Sequence, residues 1–240
     1  METNTTLNQG EEDTRAEKLV AEMEKLGGKI RAARASVGSV IFGQLDVVDE
    51  SLVTLLAGGH ALLVGVPGLA KTRLVETLGQ VLGLSERRVQ FTPDLMPADI
   101  IGSEVLEESE SGKRSFRFIE GPVFSQLLMA DEINRASPRT QSALLQAMQE
   151  GRVSVAGQYH ALPTPFHVLA TQNPLEHEGT YTLPEAQLDR FLLQVDVGYP
   201  DRDTERQMMV ATTGSEEATP VQVMTAEELR AAQTLVRRLP

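Results

Sequence analysis

The sequence lacks cysteine and tryptophan, and aromatic residues make up only 4% of its 240 residues. Without cysteine, disulfides, thiolate catalysis and cysteine-ligated zinc are all excluded. With so few aromatic rings, a hydrophobic core has to be built from Leu, Val, Ile, Ala and Met. A chain of this length accommodates one large domain, or one domain with a small appendage.

Basic residues are also scarce: the chain has 22 Lys and Arg against 34 Asp and Glu, which gives a formal net charge of −12. This balance argues against the broad basic surface that nucleic-acid binding requires, although a small local basic site remains compatible with it. Long apolar runs are missing too. The most apolar stretch, 51–66, is too short to span a bilayer and is broken by Gly58, Gly59 and His60.

The first six residues contain no basic region followed by an apolar run, so no signal peptide is expected. Together with the absence of a membrane-spanning run, this predicts a soluble, cytoplasmic protein without membrane insertion. Residues 1–15 are polar and acidic without apolar periodicity, which predicts a disordered tail. The four histidines (60, 160, 167 and 177) show no metal-ligand spacing, and we interpret them as structural or surface residues.

Short apolar runs alternate with helical patterns along the rest of the chain. Helical spacing covers about 14–36, where Gly27-Gly28 interrupts it, and about 44–56. Apolar runs typical of strands buried on both faces are found at 61–64, 127–130 and 168–170, and 192–195 is a further buried strand by this pattern although it contains Gln194. Residues 89–92, in which apolar and polar residues alternate, also predict a strand. The alternation of strands and helices predicts an α/β fold in which helices cover both faces of a parallel sheet.

Two further patterns indicate hairpins. Alternation over 115–119 predicts a small hairpin within an otherwise irregular stretch, 94–121, and a second hairpin is predicted from 152–155 and 159–162. A helix is expected from Ser137-Pro138 to Glu150, and a last helix after the capping-box spacing at 225–228.

A glycine-bearing loop follows the first apolar run and precedes a helical pattern at 71–82. It consists of Gly65, Val66, Pro67, Gly68, Leu69, Ala70, Lys71 and Thr72. Backbone N–H groups of such a loop turn around phosphate oxygens, and the following helix N-terminus adds its positive dipole end. Lys71 would reach the β- and γ-phosphates, and the Thr72 hydroxyl would ligate Mg²⁺.

Ala70 departs from the usual phosphate-loop pattern, which has glycine before the lysine. A methyl group is tolerable there if the backbone keeps a negative φ. The alternative interpretation of the whole segment is a Gly/Pro turn before a helix that happens to carry Lys-Thr.

Polar side chains follow two other predicted strands. Asp131 and Glu132 come directly after 127–130, at the edge where open parallel sheets bind ligands. Asp131 would hold Mg²⁺ and Glu132 would polarise the attacking water, although two solvated acids at a strand end are an alternative. Asn173 ends another strand and would hold the γ-phosphate or the water; alone it would be a turn residue before proline.

These segments, with 183–191, resemble the MoxR family of AAA+ ATPases. The matching stretches are GVPGLAKT at 65–72, ADEINRA at 130–136, ATQNP at 170–174 and LPEAQLDRF at 183–191. They stand in the family's order and spread over about 42–199. The resemblance implies a P-loop NTPase that uses ATP and Mg²⁺, with Walker A at 65–72, Walker B at Asp131 and Glu132, and sensor 1 at Asn173. The alanine before the lysine also belongs to this family's loop.

The resemblance also implies a homo-oligomeric ring, a hexamer, in which Arg190 is an arginine finger for the neighbouring subunit's γ-phosphate. A planar, always-charged guanidinium suits that task; the alternative is a local salt bridge with Asp189. Gly43 and Gln44 match the segment near the adenine. Arg135 would face the subunit interface or cap a helix.

Three segments result: a tail at 1–15, an AAA+ α/β core at 16–199, and the start of a helical lid at 200–240. In the family this lid carries a second sensor arginine, and here either the form is truncated or the lid is absent by nature. The predicted hairpin at 152–162 and the stretch 94–121 match family insertions, and both could contact a client or be surface loops.

The resemblance implies ATP-driven, chaperone-like remodelling or maturation of a protein client, such as one with a von Willebrand factor A domain. A nucleic-acid motor of the pore-hairpin type is an alternative, which the net charge opposes. A second alternative is a nucleotide-dependent scaffold that does not hydrolyse ATP.

Overall fold

A computed structural model of the chain describes residues 3–108, 114–176, 179–199, 202, 205–206 and 219–238. His177, the middle of the predicted hairpin at 109–113 and most of 200–218 lie outside the described residues. The predicted lid segment at 200–240 is therefore described mainly from residue 219 onwards.

Apart from two further short helices, at 97–101 and 185–188, that were not predicted, helices and strands alternate along the chain as the sequence predicts. They are α1 (Thr3–Gly38), α2 (Leu45–Ala57), β1 (Ala61–Val64), α3 (Lys71–Leu82), β2 (Glu86–Gln90), α4 (Pro97–Ile101), β3 (Gly102–Glu108), β4 (Arg114–Glu120), β5 (Leu127–Asp131), a 3₁₀ turn (Ile133–Arg135), α5 (Pro138–Glu150), β6 (Arg152–Val155), β7 (Gln158–Ala161), β8 (His167–Gln172), α6 (Glu185–Leu188), β9 (Leu193–Asp196) and α7 (Ala226–Val236).

Five of the strands form one sheet in the order β2-β5-β8-β1-β9. All four pairings are parallel. The predicted α/β fold with a parallel, helix-flanked sheet is thus confirmed. Non-consecutive neighbours in this order mean that helices cross between the strands, which places helices on both faces.

The central strands are buried on both faces, which explains their continuous apolar sequence. Leu127 and Met129 of β5 belong to the core that α1, α2, α3 and α7 cover. Leu128 and Ala130 of the same strand belong to the opposite core, which α5 covers. Because side chains alternate along a strand, an apolar run without polar breaks is what a strand covered twice requires.

One strand lies earlier in the chain than predicted. The sequence indicated 89–92, whereas β2 covers Glu86–Gln90 and pairs with β5 through Glu86↔Leu127 to Gln90↔Asp131. The strand stands at the edge of the sheet, where charged side chains are tolerated. Its polar residues therefore concealed it from a search for apolar runs.

The first helix differs from the prediction in two ways. It runs unbroken through Gly27-Gly28, and its backbone includes residues 3–15, where a disordered tail was expected. Two glycines weaken a helix by roughly 1 kcal/mol each but do not forbid it. Beyond them, the helix is anchored by buried Ala33 and Val37.

Both predicted hairpins are present as two-stranded antiparallel sheets, β3-β4 and β6-β7. The stretch 94–121 is more regular than expected, because it also contains α4. The two hairpins touch where the Phe118 ring stacks on the His160 ring with centroids 3.9 Å apart.

The last helix, α7, packs against the body of the protein. The capping box between Thr225 and Glu228 is present, and Leu229 and Ala232 are buried in the same core as α1, α2 and α3. In the described part of the chain, no helix combines the length and the apolar character needed to cross a membrane.

Candidate functional site

Three neighbouring strands bring the predicted site residues together. β5, β8 and β1 lie side by side in the sheet, and their carboxyl ends lead into Asp131, Asn173 and the loop 65–72 respectively. These groups line one cavity of about 390 Å³. Its walls are Pro67, Gly68, Leu69, Ala70, Lys71, Thr72, Arg73, Asp131, Glu132, Thr171 and Asn173.

The loop geometry depends on residues with little or no side chain. A Cβ on Gly65 would lie 2.5 Å from the carbonyl oxygen of Val197, so only glycine fits there. Gly68 has a φ of 86°, in the left-handed region that favours glycine. The sequence pattern at these two positions is therefore dictated by the backbone.

Ala70 also occupies the left-handed region, with φ 56° and ψ 19°. The negative φ that would make a methyl group tolerable there is therefore not adopted. The residue turns the chain from the loop into α3, and its carbonyl oxygen accepts the N–H of Leu74 at 2.9 Å. A methyl-bearing residue in this conformation costs roughly 1–2 kcal/mol, so the loop carries local strain beside the lysine.

Lys71 folds over its own loop. Its Nζ donates to the carbonyl oxygens of Gly65 and Val66, each at 2.7 Å. Partial burial lowers the pKa of Lys71, and the nearby carboxylates of Asp131 and Glu132 act in the opposite direction. The ammonium group thus lies at the cavity wall, facing the two acids.

Thr171 on β8 organises both acids, and the sequence analysis missed it. Its buried hydroxyl donates to Asp131 Oδ1 at 2.5 Å and accepts the backbone N–H of Glu132 at 2.8 Å. Glu132 has a φ of 54°, so the chain turns sharply after Asp131 and separates the two carboxylates. The signal that could have revealed Thr171 is its position in the polar end of an otherwise apolar strand.

Two side chains of the edge strand β2 also reach the acids. Arg88 Nη2 lies 2.5 Å from Asp131 Oδ2, and Gln90 Nε2 donates to Glu132 Oε2 at 2.8 Å. Sequence reasoning missed both residues, because their contacts depend on the pairing of β2 with β5, which the sequence does not reveal.

Arg135 approaches Glu132 from the other side. Its Nη1 donates to Glu132 Oε2 at 3.1 Å and lies 3.7 Å from Glu176 Oε1. The helix-cap alternative is not observed, since Ser137 caps α5 through the N–H of Thr140. The interface alternative stays a prediction. Within the chain, Arg135 connects the segment after β5 with the segment after β8.

Asn173 fits both interpretations made from the sequence. Its Oδ1 accepts the N–H of Leu175 at 3.1 Å, as in a turn before proline. The residue also lines the cavity, and its Nδ2 lies 3.5 Å from Glu176 Oε2. A turn-forming amide is thus held at the wall that faces Lys71 and the acids.

The remaining predicted residues lie outside this cavity lining. Gln44 Nε2 donates to the carbonyl oxygen of Leu69 at 3.4 Å, which puts Gln44 against the loop, and Gly43 precedes it with φ 68°. Arg190 lines a separate cavity of about 400 Å³ and hydrogen-bonds Gln149 of α5. Within one chain, Arg190 is not brought to the loop.

Buried His167 and partly buried His60 support the sheet at the amino ends of β8 and β1. His60 Nδ1 accepts the N–H of Val168 at 2.9 Å, and His167 Nδ1 hydrogen-bonds the carbonyl oxygen of Gly59 at 2.8 Å. Burial, with a smaller contribution from His167, lowers the pKa of His60 to about 4, and burial also lowers the pKa of His167. Both rings are therefore neutral in the folded protein near pH 7.

Acidification should destabilise the fold before its carboxylates titrate. The unfolded chain binds more protons between pH 6.5 and pH 4 because the pKa of His60 falls on folding, so stability is complete above about pH 6.5 and declines below it. Between pH 7 and pH 5 we expect His60 to remove about 2 kcal/mol from the free energy of unfolding. Urea unfolding at a series of pH values measures this loss.

The control is His60→Asn, whose amide oxygen can still accept the N–H of Val168 but does not titrate. Between pH 7 and pH 5, the free energy of unfolding of this variant should fall by about 2 kcal/mol less than that of the wild type. Equal losses in the variant and the wild type would contradict the assignment.

Comparison with known proteins agrees with the fold. The family model described as "ATPase family associated with various cellular activities (AAA)" matches residues 60–193, more than half of the chain. A crystal structure from Cytophaga hutchinsonii, of a protein assigned as an ATPase, superimposes with a TM-score of 0.79 at 38% identity. The similarity covers 93% of this chain and 66% of that one.

Among curated proteins, the chain is similar to "Chaperone MoxR1" of Mycobacterium tuberculosis, at 50% identity over 194 residues, or 81% of this chain and 50% of that protein. It is 34% identical to "Protein MoxR" of Paracoccus denitrificans over 183 residues, covering 74% and 52% of the two chains. The chain belongs to the MoxR family of AAA+ ATPases. It spans about half the length of these curated relatives.

Proposed function

We propose that this chain is the nucleotide-binding and hydrolysing core of a Mg²⁺-dependent ATPase that drives chaperone-like remodelling of a protein client. The observation that carries the proposal is that one cavity is lined by loop residues 67–72, by both acids at the end of β5 and by Asn173 after β8. A phosphate-binding loop facing two carboxylates and an amide is the set of groups that nucleotide hydrolysis requires.

The loop would hold the phosphates. Backbone N–H groups at the N-terminus of α3 attract anions through their orientation and through the helix dipole. Lys71 now donates to two carbonyl oxygens of its own loop. An arriving triphosphate offers a stronger, charged acceptor, so we infer that the ammonium group transfers its hydrogen bonds to the β- and γ-phosphates.

Thr72 and Asp131 would hold the metal ion. Both line the cavity and supply hydroxyl and carboxylate oxygens, the ligands that Mg²⁺ prefers. Thr171 fixes one oxygen of Asp131 through its hydroxyl, leaving the other oxygen available to an incoming cation once its present partner moves. When bound, Mg²⁺ supplies positive charge that neutralises the phosphate oxygens.

Glu132 would act as the general base. Its Oε2 accepts from Gln90 and Arg135, which holds the carboxylate in place and leaves Oε1 for the attacking water. The proton that the water loses on attacking the γ-phosphorus would pass to Glu132. Asn173 would orient the same water or the γ-phosphate with its neutral amide, adding no negative charge beside the acids.

Arg190 would complete the site from a neighbouring subunit. It lies outside the phosphate cavity, so its guanidinium could serve a γ-phosphate only in trans. A ring of identical subunits, a hexamer by resemblance to the family, provides that arrangement. The guanidinium would stabilise negative charge that develops on the phosphate oxygens during transfer.

Gln44 would lie near the adenine. Its Oε1 is buried and has no hydrogen-bond partner in the described part of the chain. A buried amide oxygen is costly unless it meets a donor, and the amino group of an adenine is such a donor. The neighbouring Gly43 allows the chain to turn there with positive φ.

The client is proposed from the family alone. One relative carries the name chaperone, and the resemblance suggests a client with a von Willebrand factor A domain. The segment 219–238 would belong to the start of the helical lid.

The test is phosphate release by the purified chain at several protein concentrations, with Mg²⁺ and with EDTA. We expect release only with Mg²⁺, and a specific activity that rises with protein concentration because Arg190 acts across subunits. Arg190→Ala should reduce the rate at high concentration, whereas Arg152→Ala, an arginine on the β6-β7 hairpin, should not. Phosphate release at the same rate with Mg²⁺ and with EDTA, or no phosphate release at any protein concentration, would contradict the proposal.

A further inference from the structure

Arg88 forms an ion pair with Asp131, the carboxylate that would bind the proposed metal ion. Its Nη2 lies 2.5 Å from Asp131 Oδ2, while Asp131 Oδ1 is already engaged by the Thr171 hydroxyl. Both oxygens of Asp131 therefore have a hydrogen-bond donor. A cation that approaches Oδ2 from the cavity meets the positive charge of Arg88, so its binding favours withdrawal of the guanidinium group.

Of the two donors, Arg88 is the one that can leave. Thr171 is buried within β8, and its hydroxyl also accepts the N–H of Glu132. The Arg88 side chain stands on the edge strand β2 and is 46% exposed, whereas that of Asp131 is only 12% exposed. A guanidinium group with access to water can be rehydrated when it withdraws, so its displacement costs little.

Arg88 is also connected to the general base. The same Nη2 that lies beside Asp131 donates to Gln90 Oε1 at 3.1 Å, and Gln90 Nε2 donates to Glu132 Oε2. A chain of polar contacts thus runs from the metal ligand to the catalytic carboxylate through two residues of β2. Withdrawal of Arg88 removes one of the contacts that fix the Gln90 amide against Glu132.

We propose that Arg88 is a built-in counterion for Asp131, which the divalent cation displaces on binding. This inference rests on the proposed function, because it takes Asp131 as a metal ligand. Arg88 is a positioning residue. Before the cation binds, it neutralises the largely buried carboxylate of Asp131. When it withdraws, Gln90 loses the hydrogen bond from Arg88, so cation binding also affects the residue that contacts Glu132. The cation then binds less tightly than it would to a free Asp131.

The experiment measures how strongly Mg²⁺ strengthens ADP binding. Dissociation constants of a fluorescent methylanthraniloyl-ADP are determined in EDTA and in saturating Mg²⁺, and their ratio reports the coupling between cation and nucleotide. The variant is Arg88→Gln, and the matched control is Arg87→Gln. Arg87 is the neighbouring exposed arginine on β2, and strand alternation directs its side chain to the other face.

Removing the counterion should increase the ratio by roughly three- to tenfold, the range expected for losing one charged, partly buried hydrogen bond. Arg87→Gln removes the same charge and should leave the ratio unchanged. Arg88→Lys should lie in between, because an ammonium keeps the charge without the planar fork.

Three outcomes would overturn the inference. If the ratio falls in Arg88→Gln, then Arg88 orients Asp131 for the cation instead of competing with it. If the ratio does not change, or changes equally in Arg87→Gln, then Arg88 has no specific effect on the cation. If the wild type binds no labelled ADP in either condition, the proposed function fails and this inference fails with it.

Discussion

Glu132→Gln should bind ATP like the wild type and turn it over roughly a hundred- to ten-thousandfold more slowly. The substitution keeps the size and the hydrogen-bond acceptor of the side chain, so the contacts from Gln90 and Arg135 can persist. It removes the carboxylate that would accept the proton of the attacking water. Steady-state phosphate release measures the rate, and nucleotide-induced thermal stabilisation measures the binding.

Glu176→Gln is the matched control for this experiment. Glu176 also lies beside Arg135, at 3.7 Å, but it does not line the phosphate cavity. The same change from carboxylate to amide should therefore alter turnover only slightly. Turnover by Glu132→Gln near the wild-type rate, or an equal loss in Glu176→Gln, would show that Glu132 is not the base.

Thr171→Val should be the most destabilising of the conservative changes around the site. Valine fills the same volume but removes the hydroxyl, which leaves Asp131 Oδ1 without its donor and the N–H of Glu132 without its acceptor. Unsatisfied buried groups cost roughly 1–3 kcal/mol, and more where one of them is charged. We expect the free energy of unfolding to fall by about 3 kcal/mol, measured by urea denaturation.

Thr171→Ser provides the comparison, because serine retains the hydroxyl and loses only a methyl group. It should cost about 1 kcal/mol, the value of one buried methyl group. If valine is tolerated as well as serine, then the hydroxyl does not hold the two acids and their separation has another cause.

The parts of this molecule that could be predicted are those with a local cause. The apolar runs of β1, β5 and β8 and the helix α3 follow from periodicity and from the loop before the helix. The convergence of the loop, Asp131 and Asn173 follows from the general rule that parallel sheets bind ligands at their carboxyl edge. None of these inferences needs the order of the strands in the sheet.

The contacts of Arg88 and Gln90 could not be predicted, because they depend on that order. Their strand is polar and short, and only its pairing with β5 brings the two side chains to the acids. The positive φ of Ala70 could not be predicted for a different reason. Alanine is a poor residue for the left-handed region, so its sequence identity argues for the conformation that the loop does not adopt.

The length of α1 was underestimated from local sequence patterns. Absence of apolar periodicity over 1–15 predicted disorder, and two glycines predicted an interruption, whereas the backbone is helical from Thr3 to Gly38. A helix does not need an apolar stripe on every turn once a later part of it is packed. Arg190 shows a further limit, since its proposed task involves a second copy of the chain.

The most direct test of the account is thermal unfolding with and without Mg·ATP, for the wild type and for Lys71→Ala. A ligand that binds only the folded state stabilises it by about RT ln(1 + [L]/Kd), roughly 2.7 kcal/mol at a hundredfold excess over Kd. Lys71 also bonds two carbonyl oxygens of its loop, so the comparison is the shift within each protein. The account predicts a clear rise in Tm for the wild type and little or none for Lys71→Ala. An unchanged Tm in the wild type, or an equal rise in both, would mean that the loop 65–72 does not hold the nucleotide.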